Sequence, residues 1–214
     1  MRIGNQLKLN TSFYSKNMKY KILKNNLFQI NNYKLMSLRR EDLFLIMKWR
    51  NSQKEVLRQD NILTKKIQLR YYQNFILPSY NSINPKIILF SYLLDNKCIG
   101  YGGLTNINWY AKRAEVSFLL NPKNAKNSKL YATEFDIFLK LLKYVSFKEL
   151  KLNRLFTETY DIRPIHIKTL LKNGFKYEGR MKQHILIKNN YFDSLIHGIL
   201  KKDYKDRKKI YAEQ

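Results

Sequence analysis

The chain has 214 residues, which is enough for one large domain. Hydrophobic residues make up 44% of it and aromatic residues 14%, so the chain is able to form a packed core. Its longest apolar runs, such as Ile87–Phe90, are far shorter than the ~20 residues that span a bilayer. One cysteine excludes a disulfide framework, and three histidines give no zinc-binding spacing. We therefore predict a single-domain cytoplasmic protein that binds no metal.

The net charge is +25, from 41 basic and 16 acidic residues. Such an excess is typical of proteins that bind nucleic acid, anionic membranes or acidic ligands. Lysine supplies 30 of the basic residues, however, and these lysines are scattered along the whole chain. Nucleic-acid recognition favours arginine and basic clusters interleaved with aromatic residues. The wealth of Asn, Lys, Ile and Tyr also matches an AT-rich coding sequence. We predict that the protein does not bind nucleic acid.

The chain divides into three parts by composition. Residues 1–32 form a basic, Asn/Lys-rich extension with no acidic residue, in which we predict one short strand near Leu27–Ile30. Regular hydrophobic patterns begin at Tyr33, so we place one domain over residues 33–204. The last residues, 205–214, are predicted to be a charged and frayed tail.

The domain begins with a strand and two helices. Residues 33–38 alternate like a half-buried strand. Apolar residues at helical spacing predict a helix over 39–50, and a second helix follows over 67–77. Thr64 can cap the start of this second helix, and Pro78 is predicted to end it.

The rest of the domain alternates between strands and helices. Asp95-Asn96 is a pair typical of a tight hairpin turn between two strands, and Gly174 suits the position that follows a helix. The predicted elements are strands over 86–94, 97–108 and 113–120, a loop over 121–130, a helix over 131–149, a strand over 153–160, a helix over 164–173, and strands over 184–188 and 191–200 around an Asn189-Asn190 turn. This order predicts an α/β fold with a mixed central sheet and flanking helices.

The C-terminal third carries an ordered set of short motifs. They are Leu152-Asn153-Arg154-Leu155, Glu158, the run from Lys172 to Arg180 around Asn173-Gly174-Phe175, His184, Tyr191-Phe192-Asp193 and Gly198-Ile199-Leu200. Together they resemble the GNAT superfamily of acetyl-CoA-dependent N-acetyltransferases, and the resemblance covers about residues 33–204. The branch that they resemble acts on nucleotide-linked amino sugars, ribosomal-protein N-termini and spermidine. Trp49-Arg50-Asn51 is similar to the amino-sugar members. The resemblance implies a GNAT-like fold, acetyl-CoA as acyl donor and an amine as acceptor.

The resemblance also implies where acetyl-CoA binds. Its pantetheine arm is expected beside the backbone where two strands separate, and its pyrophosphate at the start of the long helix, where N–H groups and the helix dipole attract anions. The central glycine of the family's phosphate turn is Leu130 here, and its Cβ hinders close approach of the backbone to phosphate. Lys123, Lys126 and Lys129 are expected to supply compensating charge. The implied contacts are Phe118, Leu119 and Leu120 for the arm, and Asn127, Ser128, Lys129, Leu130, Tyr131, Ala132 and Thr133 for the pyrophosphate.

The reaction implied by the resemblance is attack of an amine on a thioester, which uses a base for the amine and a proton donor for the thiolate. Glu115 is the predicted base, because it lies on the strand over 113–120 and matches an acidic position of many family members; a surface ion pair is its alternative role. The tyrosine that family members carry four residues before the Gly-Phe pair is Leu170 here. Tyr160 is the predicted substitute, with Tyr131 as the alternative.

Arg50, His184 and Asp193 are predicted to bind the acceptor. Arg50 could instead be a solvated helix end, and His184 and Asp193 could form a structural pair across a hairpin. We interpret His166 and His197 as packing or surface residues.

A basic protein suits two anionic ligands, so a nucleotide-linked amino sugar is the predicted acceptor, ahead of a ribosomal-protein N-terminus or another small amine. Leu130 replaces the family glycine and Leu170 replaces the family tyrosine, so a second hypothesis is open, in which a GNAT-like domain binds RNA or protein without catalysis. The oligomeric state is also open, with a homodimer as one alternative.

Overall fold

The computed structural model describes residues 18–57, 59–205 and 210–213, so the first 17 residues of the predicted extension lie outside it. Within these residues nine strands form one mixed sheet. They are β1 (Leu27–Ile30), β2 (Tyr33–Ser37), β3 (Ile88–Leu94), β4 (Lys97–Asn108), β5 (Arg113–Leu120), β6 (Arg154–Tyr160), β7 (Lys176–Ile187), β8 (Asn190–Leu200) and β9 (Tyr211–Glu213). Their order across the sheet is β7-β8-β6-β5-β4-β3-β2-β1-β9.

Helices cover both faces of the sheet, which confirms the predicted α/β class with a mixed central sheet. They are α1 (Leu43–Ser52), α2 (Lys65–Tyr71), α3 (Leu77–Asn81), α4 (Pro122–Ala125), α5 (Ser128–Tyr144) and α6 (Pro164–Lys172), with π-helical turns at Tyr72–Ile76 and Val145–Glu149. None of the helices in the described part of the chain is both long enough and apolar enough to cross a membrane.

The side chains of β4 and β5 show which helix packs on which face of the sheet. Phe118 of β5 stacks on Phe135 of α5, with ring centroids 4.6 Å apart. Its neighbour Leu119 pairs with Tyr101 of β4, and both point to the opposite face because side chains alternate along a strand. Arg50 of α1 donates to the Tyr101 hydroxyl there (2.5 Å). The helix α5 and the helix α1 therefore lie on opposite sides of β5.

The sheet and core extend past both limits of the predicted domain. Tyr20 is buried, and its hydroxyl donates to the Leu89 carbonyl (2.9 Å) and accepts from the Leu89 N–H (2.8 Å). β1 pairs with β2 on one side and with β9 of the C-terminal tail on the other. Part of the basic extension and part of the charged tail therefore belong to the packed domain, because contacts with distant residues order segments whose own sequence carries little hydrophobic pattern.

Two predicted helix boundaries are wrong. The helix predicted to end at Pro78 continues to Asn81, because Pro78 lies in the first turn of α3, where its missing N–H costs no hydrogen bond. The long helix begins three residues before Tyr131, because the side chain of Asn127 caps it by accepting from the Leu130 N–H (3.0 Å). Part of the predicted loop over 121–130 is therefore helical.

Of the two predicted hairpin turns, one is confirmed and one is shifted. Asp95 and Asn96 both have positive φ, as a type I′ turn requires. In the second hairpin the positive-φ residues are Lys188 and Asn189, one position earlier than predicted. The strand β7 before this turn is also longer than the predicted 184–188, because its first residues are exposed and show no apolar alternation, and backbone pairing with β8 holds them in place.

Candidate active site

The neighbouring strands β5 and β6 separate along their length. They pair in parallel only from Arg113 to Glu115. Beyond that point the Asn121 N–H bonds to the Ile99 carbonyl of β4 (2.8 Å), so alternate backbone groups at positions 120, 118 and 116 point away from β4. The Leu120 carbonyl accepts from Gln53 Nε2 (2.9 Å), which agrees with this alternation. No strand of the described chain covers the β5 edge from 116 to 120 on this side.

A cavity of about 180 Å³ lies in this gap, and we call it the gap cavity. Both strands and the start of α6 contribute to its walls, which combine apolar, hydroxyl and charged side chains. Its lining includes Phe118, Glu158, Thr159, Tyr160, Arg163 and His166. Three or more His, Cys, Asp or Glu side chains in a metal-binding arrangement are not found among the described residues. The gap cavity therefore offers proton-transfer and hydrogen-bonding groups.

A second cavity, of about 240 Å³, lies where α5 and α6 begin, and we call it the helix-end cavity. Ser128 and Tyr131 line it from α5, and Pro164 lines it from α6. Arg163 and His166 line both cavities. The two cavities therefore meet at the first turn of α6, and together they join the start of α5 to the free edge of β5.

The start of α5 is a regular helix turn despite the leucine at position 130. The Asn127 side chain binds the Leu130 N–H, and the preceding N–H groups have no partner within the helix because they belong to its first turn. Ser128 and Lys129 are exposed, as are Lys123 and Lys126 close by. Further along the turn, the Thr133 hydroxyl donates to the Lys129 carbonyl (3.0 Å), and Ala132 is partly buried. Anion-binding N–H groups and positive charge are thus present together here.

Glu158 is the carboxylate that lines the gap cavity. It lies on β6, on the same face as Tyr160, and its Oε1 accepts from the Ser194 hydroxyl (2.7 Å). His184 Nε2 of β7 lies 3.7 Å from the same oxygen. Glu158 belongs to the C-terminal motifs but was not predicted as a site residue, although the period-2 alternation of a strand puts Glu158 and Tyr160 on one face.

Glu115, the base predicted from the sequence, lies on the neighbouring strand. Its side chain is 2% exposed, and its Oε2 accepts from Asn106 Nδ2 (2.6 Å). It is not among the residues that line the gap cavity. A buried carboxylate that a neighbouring amide engages is held firmly, but it is shielded from a ligand in the cavity.

The other predicted acceptor residues do not gather at one point. Arg50 lines the gap cavity and donates to Gln59 Oε1 (2.9 Å) as well as to the Tyr101 hydroxyl. Asp193 accepts from the Gln183 N–H (2.8 Å) and lies 3.1 Å from Arg180. It neither pairs with His184 nor lines the gap cavity, so the alternative role, a structural pair of His184 and Asp193 across the hairpin, is not observed. Asp193 is paired within the β7–β8 hairpin, whereas His184 reaches Glu158 on β6, the strand beyond β8.

The two tyrosine positions of the sequence analysis also differ in their surroundings. Tyr160 is largely buried at the end of β6 and lines the gap cavity. Leu170, at the position of the family tyrosine, is fully buried in the core. Tyr131 reaches from α5 to the first turn of α6, where it accepts from Arg163 Nη2 (2.8 Å) and contacts His166 Nδ1 (2.7 Å). No local pattern predicts this contact, because residues 131 and 166 lie far apart along the chain.

His166 is a neutral imidazole with a fixed tautomer. Burial, with help from nearby Arg163, holds its pKa well below 6.5. Arginine only donates, so the Tyr131 hydroxyl accepts from Arg163; His166 Nδ1 is the one acceptor within hydrogen-bond distance of this hydroxyl among the described residues, so we assign the phenol proton to the bond with Nδ1. The imidazole hydrogen therefore resides on Nε2. Burial raises the pKa of Tyr131 too, so the phenol keeps its proton near neutral pH.

We expect His166 to make stability depend on pH. Its pKa in the unfolded chain is near 6.5, and its folded-state pKa is well below this. The stability that the neutral imidazole contributes is therefore fully present above pH 6.5. It is lost as the pH falls towards the folded-state pKa, and the unfolding free energy then falls by at most ~1.4 kcal/mol per pH unit. In urea unfolding between about pH 7.5 and pH 5, His166→Gln should show a shallower fall of the unfolding free energy than the wild type. Equal slopes would contradict a buried neutral imidazole.

Comparison with known proteins agrees with this architecture. Residues 35–196 match the family model described as acetyltransferase (GNAT) domain. The spermidine N-acetyltransferase of Vibrio cholerae, solved with CoA and spermine, superposes with a TM-score of 0.69 at 19% identity, over 81% of this chain and 98% of that one. A dodecameric structure of the Vibrio cholerae enzyme in an intermediate state gives 0.66 at 19% identity, over 84% and 100%. At these identities the structures show a shared fold.

The matched region covers most of the chain and contains the gap, both cavities and the start of α5. The fold and the site thus define an acetyltransferase with a split central sheet. The chain belongs to the GNAT acetyltransferase family, which confirms the family and the enzyme class that its C-terminal motifs predict.

Proposed function

We propose that the protein transfers the acetyl group of acetyl-CoA to a primary amine. The observation that carries this proposal is the free β5 edge in the gap, which is joined through the helix-end cavity to the start of α5. An extended arm with amide groups pairs with such an edge as a strand would. A pyrophosphate suits the helix start, where N–H groups and three exposed lysines are present.

The residues present fit acetyl-CoA, but only one of the three residues predicted to contact its pantetheine arm keeps that role. The backbone of Phe118 faces the gap, so it is the contact for the pantetheine arm, whereas Leu119 faces β4 and the Leu120 carbonyl is bonded to Gln53. Asn127 and Ser128 are the first contacts for the pyrophosphate. Bound acetyl-CoA supplies the thioester, and the protein supplies its placement next to the carboxylate of Glu158.

Glu158 is the base in this proposal, and Glu115 is the alternative from the sequence. Glu158 lines the cavity into which the arm leads, and one of its oxygens is held by Ser194. A carboxylate in this position accepts a proton from the acceptor ammonium, directly or through one water. Glu115 lies behind the cavity wall and holds Asn106, so it supports the shape of β4 and β5.

Two classes of acceptor have support from specific residues. Arg50 lines the gap cavity and favours the nucleotide-linked amino sugar that the sequence predicts, because arginine pairs with phosphate. A small cationic amine is the second candidate. Glu158 is the one acidic residue of the described chain that lines the gap cavity, and Asp60 lines an adjoining groove that shares Tyr160 with it; Glu55 of the same groove is paired with Lys188 (3.1 Å). The solved structures of similar fold include a spermidine N-acetyltransferase.

The test is a calorimetric titration of acetyl-CoA into the purified protein, with ATP as polyanion control. We expect one-to-one binding in the micromolar range and a clear preference over ATP, because the β5 edge contacts the arm that ATP lacks. Amino-sugar nucleotides and spermidine are then compared as acceptors by release of CoA thiol. Equal affinity for acetyl-CoA and ATP, with no thiol release for any amine, would contradict the proposal and favour a binding module without catalysis.

A further inference from the structure

His166 is a buried hydrogen-bond donor that the proposed reaction does not yet use. It is 6% exposed, and its ring stacks on Phe135 with centroids 4.2 Å apart. Nδ1 is engaged by Tyr131. Nε2 has no partner among the described residues, and it is not one of the buried polar atoms sealed from solvent. The imidazole lines both cavities, and Nε2 is the ring nitrogen that remains available to a ligand there.

We propose that His166 Nε2–H donates a hydrogen bond to the sulfur of CoA as the thiolate leaves. This inference rests on the proposed function. The acyl donor extends from the start of α5 through the helix-end cavity into the gap, and it passes the first turn of α6 on the way. The thioester is at the end of the arm, so it enters the gap cavity, whose lining contains both His166 and Glu158. Family members carry a tyrosine for this step, and that position is a core leucine here.

Tyr131 and Arg163 act as positioning residues for this imidazole. Tyr131 was the alternative proton donor in the sequence analysis, but its hydroxyl hydrogen is directed to His166 Nδ1. Arg163 donates to the same hydroxyl, so the Tyr131 O–H is turned away from Arg163 and towards its acceptor, His166 Nδ1. The pair holds the hydrogen of the imidazole on Nε2, where it faces the ligand, instead of on Nδ1.

The chemical step balances without proton loss from His166. The amine nitrogen attacks the thioester carbonyl carbon and forms the C–N bond. The C–S bond then breaks, and its electron pair goes to sulfur. Before attack Glu158 passes the ammonium proton of the acceptor on to solvent, and it then takes the proton that the nitrogen releases as the amide forms; the thiolate takes up a proton from solvent after release. A fixed donor at the sulfur stabilises charge that develops only as the bond breaks, so it acts on the transition state.

The experiment compares His166→Asn with His166→Gln. The asparagine amide is in the position of Nδ1 and keeps a partner for Tyr131, but it provides no donor at the gap. The glutamine amide reaches the position of Nε2. We expect kcat to fall roughly 100-fold in His166→Asn and less than about tenfold in His166→Gln, with the Kd for acetyl-CoA unchanged in both. Tyr131→Phe should lower kcat by about tenfold, because it removes one hydrogen bond that fixes the tautomer.

A second readout separates a bond to sulfur from a structural role. The pKa of the bound CoA thiol follows from the pH dependence of CoA binding, with desulfo-CoA as the ligand that lacks the thiol. A donor at the sulfur favours the thiolate, so the thiol pKa should be lower in the wild type than in His166→Asn. The matched control is His197→Gln. This buried histidine of β8 lines neither cavity; its charge would lower the pKa of His166, but burial lowers its own pKa too, so replacement of the neutral ring should leave kcat and the thiol pKa unchanged near neutral pH.

The outcomes distinguish the inference from the proposed function. Loss of CoA binding and turnover in the wild type would contradict the proposed function itself. A wild type that binds and turns over, together with an unchanged kcat and thiol pKa in His166→Asn, would overturn the inference alone. It would also be overturned by a raised Kd with unchanged kcat, because His166 would then contact the arm away from the sulfur.

Discussion

Glu158→Gln lowers kcat/KM for acetyl transfer by roughly 100- to 1,000-fold, the range that loss of a positioned base produces. Glutamine keeps the shape and still accepts from Ser194, but it takes up no proton. The Kd for acetyl-CoA is expected to stay the same, because the carboxylate lies on the acceptor side of the gap. The measurement is steady-state kinetics with acetyl-CoA and the best acceptor, combined with calorimetry.

Two comparisons make this result specific to a base. The loss of kcat/KM in Glu158→Gln should become smaller as the pH approaches the pKa of the acceptor amine, which is about 10.4 for a lysine-like amine. More of the amine is then already neutral and needs no base. Glu115→Gln is the matched control, since it changes the buried carboxylate on the neighbouring strand β5, and we expect a loss below about tenfold. A larger loss in Glu115→Gln than in Glu158→Gln would return the role of base to the residue that the sequence predicts.

Gly102→Ala destabilises the fold by about 3 kcal/mol or more. Gly102 lies on β4, where a Cβ would meet Phe138 Cζ at 2.8 Å and Phe118 Cα at 2.9 Å, with the Ser117 carbonyl oxygen closer still. These neighbours belong to β5 and α5, so relief of the clash requires β4 and β5 to move apart. One of these two strands, β5, also forms the gap with the edge that faces away from β4. Urea unfolding followed by circular dichroism measures the loss.

Gly179→Ala is the matched control for this substitution. Gly179 is also a strand glycine, on β7, but no atom lies within 4 Å of the position that its Cβ would take. We expect its unfolding free energy to stay within about 0.5 kcal/mol of the wild type. If both alanine variants lose the same stability, the effect comes from backbone freedom and not from the close packing of β4 on β5.

Several features of the fold were already determined by local sequence. The strands β4 and β5 follow the predicted limits, because their apolar residues alternate and turn residues bound them. Asp95-Asn96 forms the predicted turn, since both residues tolerate positive φ. The ordered C-terminal motifs also identified the family that the comparison confirms. Each of these features is encoded within a few consecutive residues or in the order of short motifs.

Element boundaries and both ends of the domain depended on contacts that no local pattern carries. Tyr20 belongs to the core because Leu89, far along the chain, engages its hydroxyl. The strand β7 exceeds its prediction because β8 pairs with residues that show no alternation. Pro78 does not end its helix because a π-helical turn precedes it and places it at a new helix start.

The candidate site was predicted only in part, for the same reason. The resemblance implied Phe118 as a contact of the acyl donor and Asn127 at the helix start; in the structure Phe118 lines the gap cavity and Asn127 caps α5. Only the tertiary structure directs Glu158 into the gap and Glu115 behind its wall. Only packing of α5 against α6 joins Tyr131 to His166 and leaves one free donor there. Hydrophobic periodicity and caps act between near neighbours in sequence, whereas burial, tautomer and access depend on which distant segments meet.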